Sequence, residues 1–210
     1  MASDSGSLMT TKTNKIISAV VAIAIIISVA VLIYVNLPKQ TETTEDEPPA
    51  QKENPSIFTI IYDDEQQNFT LGQLERLEPY TAKGGYRKQS GFIKGLGNYT
   101  GVNITTLVNN LQPDLYQYSL RATDIEGNYT FYNFSTITGQ VNIYNPENAS
   151  DPNPIGKGNM TMVLAYQFEG DWLNESSDGK LKIVFLDENG SITDSSLWWK
   201  KVVSIRIITE

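Results

Sequence analysis

Lys88 and Ser90 stand two residues apart within GGYRKQSGFIKGLGNYTGVNITTLV (84–108), a stretch whose first eighteen residues hold six glycines. Two chemistries use such residues: a serine hydroxyl paired with a lysine base, and a glycine-rich backbone that cradles a phosphate. Neither pattern is complete. A dinucleotide fingerprint beginning at Gly95 and Gly97 needs a glycine at position 100, whereas the next one is Gly101, and GxxxxGK[ST] does not occur. A lysine in a polar loop is ordinarily solvated. The stretch is therefore expected to be an irregular loop whose glycines supply positive φ.

Carboxylates form the second set. Asp63-Asp64-Glu65, Asp124 with Glu126, and Asp187-Glu188 offer hard oxygen ligands, but none fits D-x-[DN]-x-[DN]-G, and turn or surface roles are expected of them. Glu169 and Asp171 flank Gly170 at another turn; a two-carboxylate glycosidase would need a spatial separation that spacing in the chain does not set. Trp198-Trp199 would point two rings to opposite faces of a strand, one buried and one at the domain edge. The chain has neither Cys nor His, which removes thiolate nucleophiles, disulfides, Ser-His-Asp chemistry, Fe–S clusters and ordinary zinc sites. Its net charge of −8 argues against nucleic acid as a partner.

The elements that carry these residues begin with a membrane anchor. Ile16 to Val35 is twenty residues without a charge, and at ~1.5 Å per residue it spans ~30 Å, the thickness of a bilayer's hydrocarbon core. Residues 16–37 are expected to form one transmembrane helix. Lys12 and Lys15 precede it and Glu42, Glu45, Asp46 and Glu47 follow. The positive-inside bias thus puts residues 1–15 in the cytoplasm and the rest outside the cell membrane. Residues 38–56 are acidic, contain prolines and lack apolar periodicity, as a stalk would.

Nine Asn-x-Ser/Thr sequons, at Asn68, Asn98, Asn103, Asn128, Asn133, Asn148, Asn159, Asn174 and Asn189, all lie beyond the span. Seventeen asparagines in this composition would give roughly three by chance, so the excess points to glycosylated exterior positions. Asn133 is the least expected, because a regular strand would place it on one face with Tyr129 and Phe131. Either it carries no sugar or that face is exposed.

Within the outer domain, residues 57–210, Thr70-Leu71-Gly72-Gln73 fits a capping box and predicts a short helix over 71–78. Ile104, Leu107, Val108 and Leu111 repeat at helical spacing behind Asn103 as N-cap, with Pro113 ending the run. Strands are expected at 118–123 and 129–134 around a Gly-containing turn, and at 181–186. A further strand is expected in the closing run 198–207, with Trp199, Val203, Ile205 and Ile207 on one face, interrupted by Lys201. The domain is therefore α+β, mostly β, with two or more short helices.

Taken in order, FTLGQLERL (69–77), NYTGVNITTLVNNL (98–111), YSLRATDIEGNYTFYNF (118–134), MVLAYQFEGDWL (162–173), GKLKIVFLDENG (179–190) and SLWWKKVVSIRI (196–207) resemble the sulfite oxidase-like, molybdopterin-binding oxidoreductase domain over about residues 57–208. Tyr99-Thr100-Gly101-Val102, Val163-Leu164-Ala165-Tyr166 with Gly170, and Trp199-Lys200-Lys201-Val202-Val203 are the most specific matches. The resemblance implies a Cys thiolate on molybdenum about ten residues before the aromatic-Thr-Gly. Here Gln89, Ser90 and Gly91 stand in that cofactor-binding position. From Gly85 to Arg121 the basic residues are Arg87, Lys88, Lys94 and Arg121, few for an anionic cofactor.

The expectation is thus a membrane-anchored, externally displayed glycoprotein domain of molybdopterin-oxidoreductase fold, without cofactor or catalytic residues. It would bind an extracellular protein or small-molecule ligand. Two alternatives stand beside it: a molybdopterin-dependent oxidoreductase with a non-Cys metal ligand such as Ser90, and a structural component of a surface layer or filament.

Overall fold

The computed structural model describes residues 55–112, 115–148, 151 and 153–209. The chain divides into two units, Met1–Lys52 and Glu53–Glu210, and the described residues all belong to the second. The expected cytoplasmic segment, membrane helix and most of the stalk lie outside the described residues, as does Pro113. Among the described residues no helix is long and apolar enough to cross a membrane.

The second unit is mostly β. In chain order it runs β1 (Phe58–Tyr62), β2 (Glu65–Phe69), α1 (Leu71–Arg76), β3 (Pro79–Arg87), β4 (Ile93–Asn103), α2 (Ile104–Leu111), β5 (Ser119–Asp124) and β6 (Tyr129–Tyr132). It continues with α3 (Phe134–Ile137), β7 (Gln140–Ile143), β8 (Gly156–Asn159), β9 (Thr161–Phe168), β10 (Asp171–Trp172), β11 (Lys182–Leu186), β12 (Ile192–Asp194), a 3-10 turn at Ser195–Leu197 and β13 (Val202–Ile208). One sheet has the order β2-β1-β13-β5-β6, with β1 and β13 parallel; a second has β10-β9-β4-β3-β12, with β11 also on β9; β7 and β8 form a separate pair. Phe58, Ile60, Leu120, Ile205 and Ile207 of the first sheet share one buried cluster with Val102, Val163, Leu164 and Val184 of the second.

Local signals explain the helices. Thr70 Oγ1 accepts from Gln73 N–H at 3.2 Å while Gln73 Oε1 accepts from Thr70 N–H at 2.7 Å, the reciprocal capping box the sequence predicts. Asn103 Oδ1 accepts from Thr105 N–H at 2.9 Å at the start of α2, and Ile104, Leu107 and Val108 turn inward. Asp124 Oδ1 accepts from both Glu126 and Asn128 N–H at 2.9 Å and Asp187 Oδ1 from Ser191 N–H at 2.7 Å, so these acids shape turns.

Three expectations need correction. The glycine-rich stretch is a β-hairpin, β3 and β4, and not an irregular loop. Only Gly91 and Gly95 in it have positive φ; Gly84, Gly97 and Gly101 are needed because a side chain has no room. A Cβ on Gly101 would lie 2.3 Å from Leu164 O and 2.5 Å from Ala165 Cα, and one on Gly84 would lie 2.5 Å from Phe185 O. Second, the closing strand starts later. Lys201 has φ 55 and a bulge follows between Val202 and Ser204, so Val202 is buried with Ile205 and Ile207 while Val203 is half-buried. Third, Trp198 and Trp199 precede that strand, and their rings are not set by strand alternation; Trp198 is the buried one.

The glycine contacts predict opposite signs for two alanine substitutions. Gly101→Ala must push β4 off β9 and should cost about 2 kcal/mol or more, lowering the melting temperature by roughly 4–8 °C. Gly72→Ala, in α1 with nothing within 4 Å of the added methyl, should stabilise instead, by about 0.5–1 kcal/mol. Thermal unfolding followed by circular dichroism distinguishes the two.

Candidate functional site

Lys182 opens β11, a strand buried along its whole length, and is itself 3% exposed. Taking an ammonium out of water costs several kcal/mol unless a counter-charge or a π-surface replaces the lost hydration. Both are present. Nζ donates to Asp178 Oδ1 at 3.0 Å, and the rings of Trp198, Tyr99 and Tyr86 stand 5.2, 5.5 and 5.6 Å from it.

These groups arrive from four places in the chain. Tyr86 and Tyr99 come from the two strands of the β3–β4 hairpin. Tyr99 Oη donates to Gly95 O at 2.9 Å, and a Cβ at Gly95 would sit 2.7 Å from that hydroxyl, so glycine is required for the ring to lie there. Trp198 is locked by its Nε1, which donates to the buried Thr193 Oγ1 at 2.7 Å, and it packs on Tyr86 and Tyr99 at centroid distances of 5.1 and 5.3 Å. Asp178 lies in the loop before β11, where its N–H donates to Asn174 O at 2.8 Å and its C=O accepts from Lys201 N–H at 2.7 Å. Lys200 Nζ reaches the same Oδ1 at 2.9 Å, so one carboxylate serves two ammonium groups.

Burial alone would raise the Asp178 carboxyl; the hydrogen bonds from Lys200, Ser177 and Lys182 outweigh it and hold the group at about 2. Burial pushes the Lys182 ammonium below the ordinary lysine range, and Asp178 offsets part of that shift. The Tyr99 phenol is raised far above its usual value by burial first, then by the charge of Asp178.

This cluster forms a wall of an open cleft of about 580 Å³; clefts of about 350, 520 and 440 Å³ lie elsewhere among the described residues. The opposite rim comes from the tight β9–β10 turn, in which Glu169 (φ 52) and Gly170 (φ 85) both take positive φ. Glu169 Oε1 accepts from Asn98 N–H at 2.6 Å, tying this turn to β4. Beyond it Asp171 and Trp172 line the cleft, Trp172 being 52% exposed with its ring 5.8 Å from that of Tyr166. Lys94, Lys182 and Lys200 face Glu169, Asp171 and Asp178, so the lining carries no net charge.

Of the residues singled out from sequence, Glu169, Asp171 and the two tryptophan-bearing segments come to or near this cleft. Lys88 and Ser90 do not: Gln89, Ser90 and Gly91 form the turn of the β3–β4 hairpin, closed by Lys88 N–H to Phe92 O at 2.9 Å, and none of the three lines the cleft. Gln89 and Ser90 are exposed. Arg87 lies 5.3 Å from the Tyr144 ring. Sequence reading passed over Lys182, Asp178, Tyr86 and Trp172. A signal existed for the first: a lysine inside Leu181-Lys182-Ile183-Val184-Phe185-Leu186 cannot reach water from a strand buried on both faces. Asp178 has no signal of its own among the loop acids.

A molybdenum-pterin group asks for a thiolate or equivalent ligand and for cations around its phosphate. The residues present do not fit it. The position where the sequence resemblance places the thiolate is an exposed hairpin turn, the cleft's lysines are equalled in number by its carboxylates, and Lys182 and Lys200 already share Asp178. Among the described residues, the buried side-chain nitrogens without a hydrogen-bond partner, Arg121 Nε and Trp199 Nε1, belong to residues that do not line the cleft. Among the described residues no cluster of acidic, His or Cys side chains could hold a metal ion.

No family model matches the chain, and no curated protein matches it. Among solved structures it is similar to the sulfane dehydrogenase SoxCD from Paracoccus pantotrophus, with a TM-score of 0.50 at 14% sequence identity, over 73% of this chain and 38% of that one. At that identity the likeness is one of fold. The chain spans well under half the length of that dehydrogenase.

The ion cluster makes unequal demands on its members. Asp178→Ala strands Lys182 in its box and should cost about 3–5 kcal/mol, whereas Lys182→Met keeps the packing and leaves Asp178 with Lys200, costing about 1 kcal/mol or less. Because the folded Asp178 carboxyl titrates at about 2 against 3.8 for a free one, its contribution is fully present above about pH 4 and is lost as pH falls toward 2. Thermal unfolding between pH 6 and 2 should show an acid-sensitive component in the wild type that is missing from Asp178→Asn.

Proposed function

We propose that this chain is a single-pass membrane protein that displays outside the cell a glycosylated, non-catalytic domain of sulfite oxidase-like fold, whose role is to bind a ligand in the cleft beside Lys182. The observation that carries this reading is the chemistry of the cleft: a lining of balanced charge with no thiolate, imidazole or surplus cation. The fold likeness to a sulfane dehydrogenase supports the architecture. A binding role follows from what the cleft offers instead of redox ligands, namely aromatic rings and hydrogen-bonding groups of both signs.

The sequons support external display. Eight of the nine asparagines are exposed, and only Asn103 is half-buried, its Oδ1 engaged by Thr105 N–H and Oγ1 at 2.9 and 2.7 Å. The conflict around Asn133 dissolves, because β6 ends at Tyr132 and the face with Tyr129 and Phe131 is exposed, at 57% and 59%. Asn133 caps α3 through its Oδ1, which accepts from Thr136 N–H at 2.9 Å.

Two measurements test the reading. Full-length protein extracted from its native membrane should contain no stoichiometric molybdenum by elemental analysis and release no pterin on oxidation; a one-to-one metal content would overturn it. Glycopeptide mapping by mass spectrometry should find sugar at several of the exposed asparagines and none at Asn103, and a wholly unmodified protein would remove the case for glycosylated display.

A further inference from the structure

We propose that the cleft beside Lys182 takes a neutral saccharide, with one pyranose face stacked on Trp172 and the hydroxyls hydrogen-bonded to the surrounding carboxylates, lysines and Asn174. This rests on the reading of the domain as a cofactor-free binding module and adds the chemical class of the ligand.

Elimination by charge comes first. A phosphate, sulfate or nucleotide entering the cleft would gain Lys94 and Lys200 but meet Glu169 and Asp171, in a lining with no net charge to offer it. A cationic head group has the opposite difficulty. The aromatic box of Tyr86, Tyr99 and Trp198 that would receive an ammonium is already filled by Lys182, whose Nζ lies 5.2 to 5.6 Å from all three rings. A purely apolar ligand would have to desolvate the exposed charges of Lys94, Glu169, Asp171 and Lys200 without replacing their hydrogen bonds.

What remains is a ligand without net charge that donates and accepts at short intervals and carries an apolar face; a small zwitterion such as glycine meets the first two conditions and lacks the third. Carboxylates can only accept and lysine ammoniums can only donate; Asn174 Oδ1 already accepts from Ser176 N–H and Oγ and from Ser177 N–H, which leaves its Nδ2 as a further donor. A ring of hydroxyls can donate to the acids and accept from the lysines and this amide nitrogen. The apolar face has its platform in Trp172, which keeps half of its surface in water although it sits on the two-residue strand β10 with its ring against Tyr166. The platform is rigidly placed, since the preceding turn is fixed by Glu169 to Asn98 N–H and the following Leu173 N–H donates to Tyr166 O at 3.1 Å. A volume of about 580 Å³ lies within the range of small-molecule sites. Asn174 is both a cleft residue and a sequon, so a sugar attached there would compete for the same space.

The test uses the full chain, produced in a host that adds no N-glycans and solubilised in detergent. It is titrated calorimetrically with cellobiose, maltose, mannobiose and chitobiose, and separately with glycine and inorganic phosphate. At least one disaccharide should saturate the protein in the micromolar to millimolar range. Trp172→Ala should weaken that binding about tenfold or more without lowering the melting temperature, and Phe92→Ala, on the exposed hairpin turn, should leave it unchanged. Saturation by glycine or phosphate and by no sugar would overturn the proposal, as would the absence of saturation by every disaccharide or equal affinity in Trp172→Ala. Molybdenum in the native protein would defeat the earlier reading of the domain; a molybdenum-free protein that binds no disaccharide would defeat only this one.

Discussion

Burying the ammonium of Lys182 sets the terms for one whole side of the domain. An unpaired charge at that depth would be untenable, so the chain must bring a carboxylate and several electron-rich rings to it, and it does so from β3, β4, the loop before β11 and the segment after the 3-10 turn. Each partner is then held in turn. Trp198 is anchored to Thr193, Tyr99 to the Gly95 carbonyl, and Asp178 through both its N–H and its C=O. The cleft is the outer surface of that arrangement. Its shape follows from a core electrostatic requirement as much as from any ligand.

The glycines of β3 and β4 belong to the same logic. Strand β4 lies between β3 and β9, and Gly101 lets its backbone close on Leu164 and Ala165, while Gly84 admits the backbone of Phe185. Gly97 leaves room for Phe168 and the Glu169 carboxylate, either of which a Cβ there would meet within 2.6 Å. Without these approaches Phe168 would not reach Tyr99, whose ring lies 4.7 Å away, and the β9–β10 turn would not reach Asn98. Glycine serves here by absence of volume, with conformational freedom needed only at Gly91 and Gly95.

A fold like that of a much longer dehydrogenase here carries a cleft whose lining has no net charge. The hairpin turn where the sequence resemblance places a thiolate presents Gln89 and Ser90 to solvent, and Lys182 and Lys200 share the Asp178 carboxylate. Fold constrains where a cleft forms, and the side chains lining it decide what it can hold.

Much of the local architecture was legible in the sequence. The capping box at Thr70, the N-cap at Asn103, the apolar stripe of α2 and the turn-forming acids Asp124 and Asp187 each act within a few residues, so spacing alone specifies them. The composition likewise ruled out thiolate and imidazole chemistry. Pairings between distant segments were not legible: Asn98 with Glu169 is separated by 71 positions, and the Lys182 box gathers residues from 86 to 198. A glycine reads the same in sequence whether it bends a loop or lets two strands touch, and a lysine reads the same whether solvated or caged. Short-range hydrogen bonding and periodicity are properties of the chain itself, but burial and close approach exist only once the sheets have packed, which is why the cleft was decided by the tertiary structure.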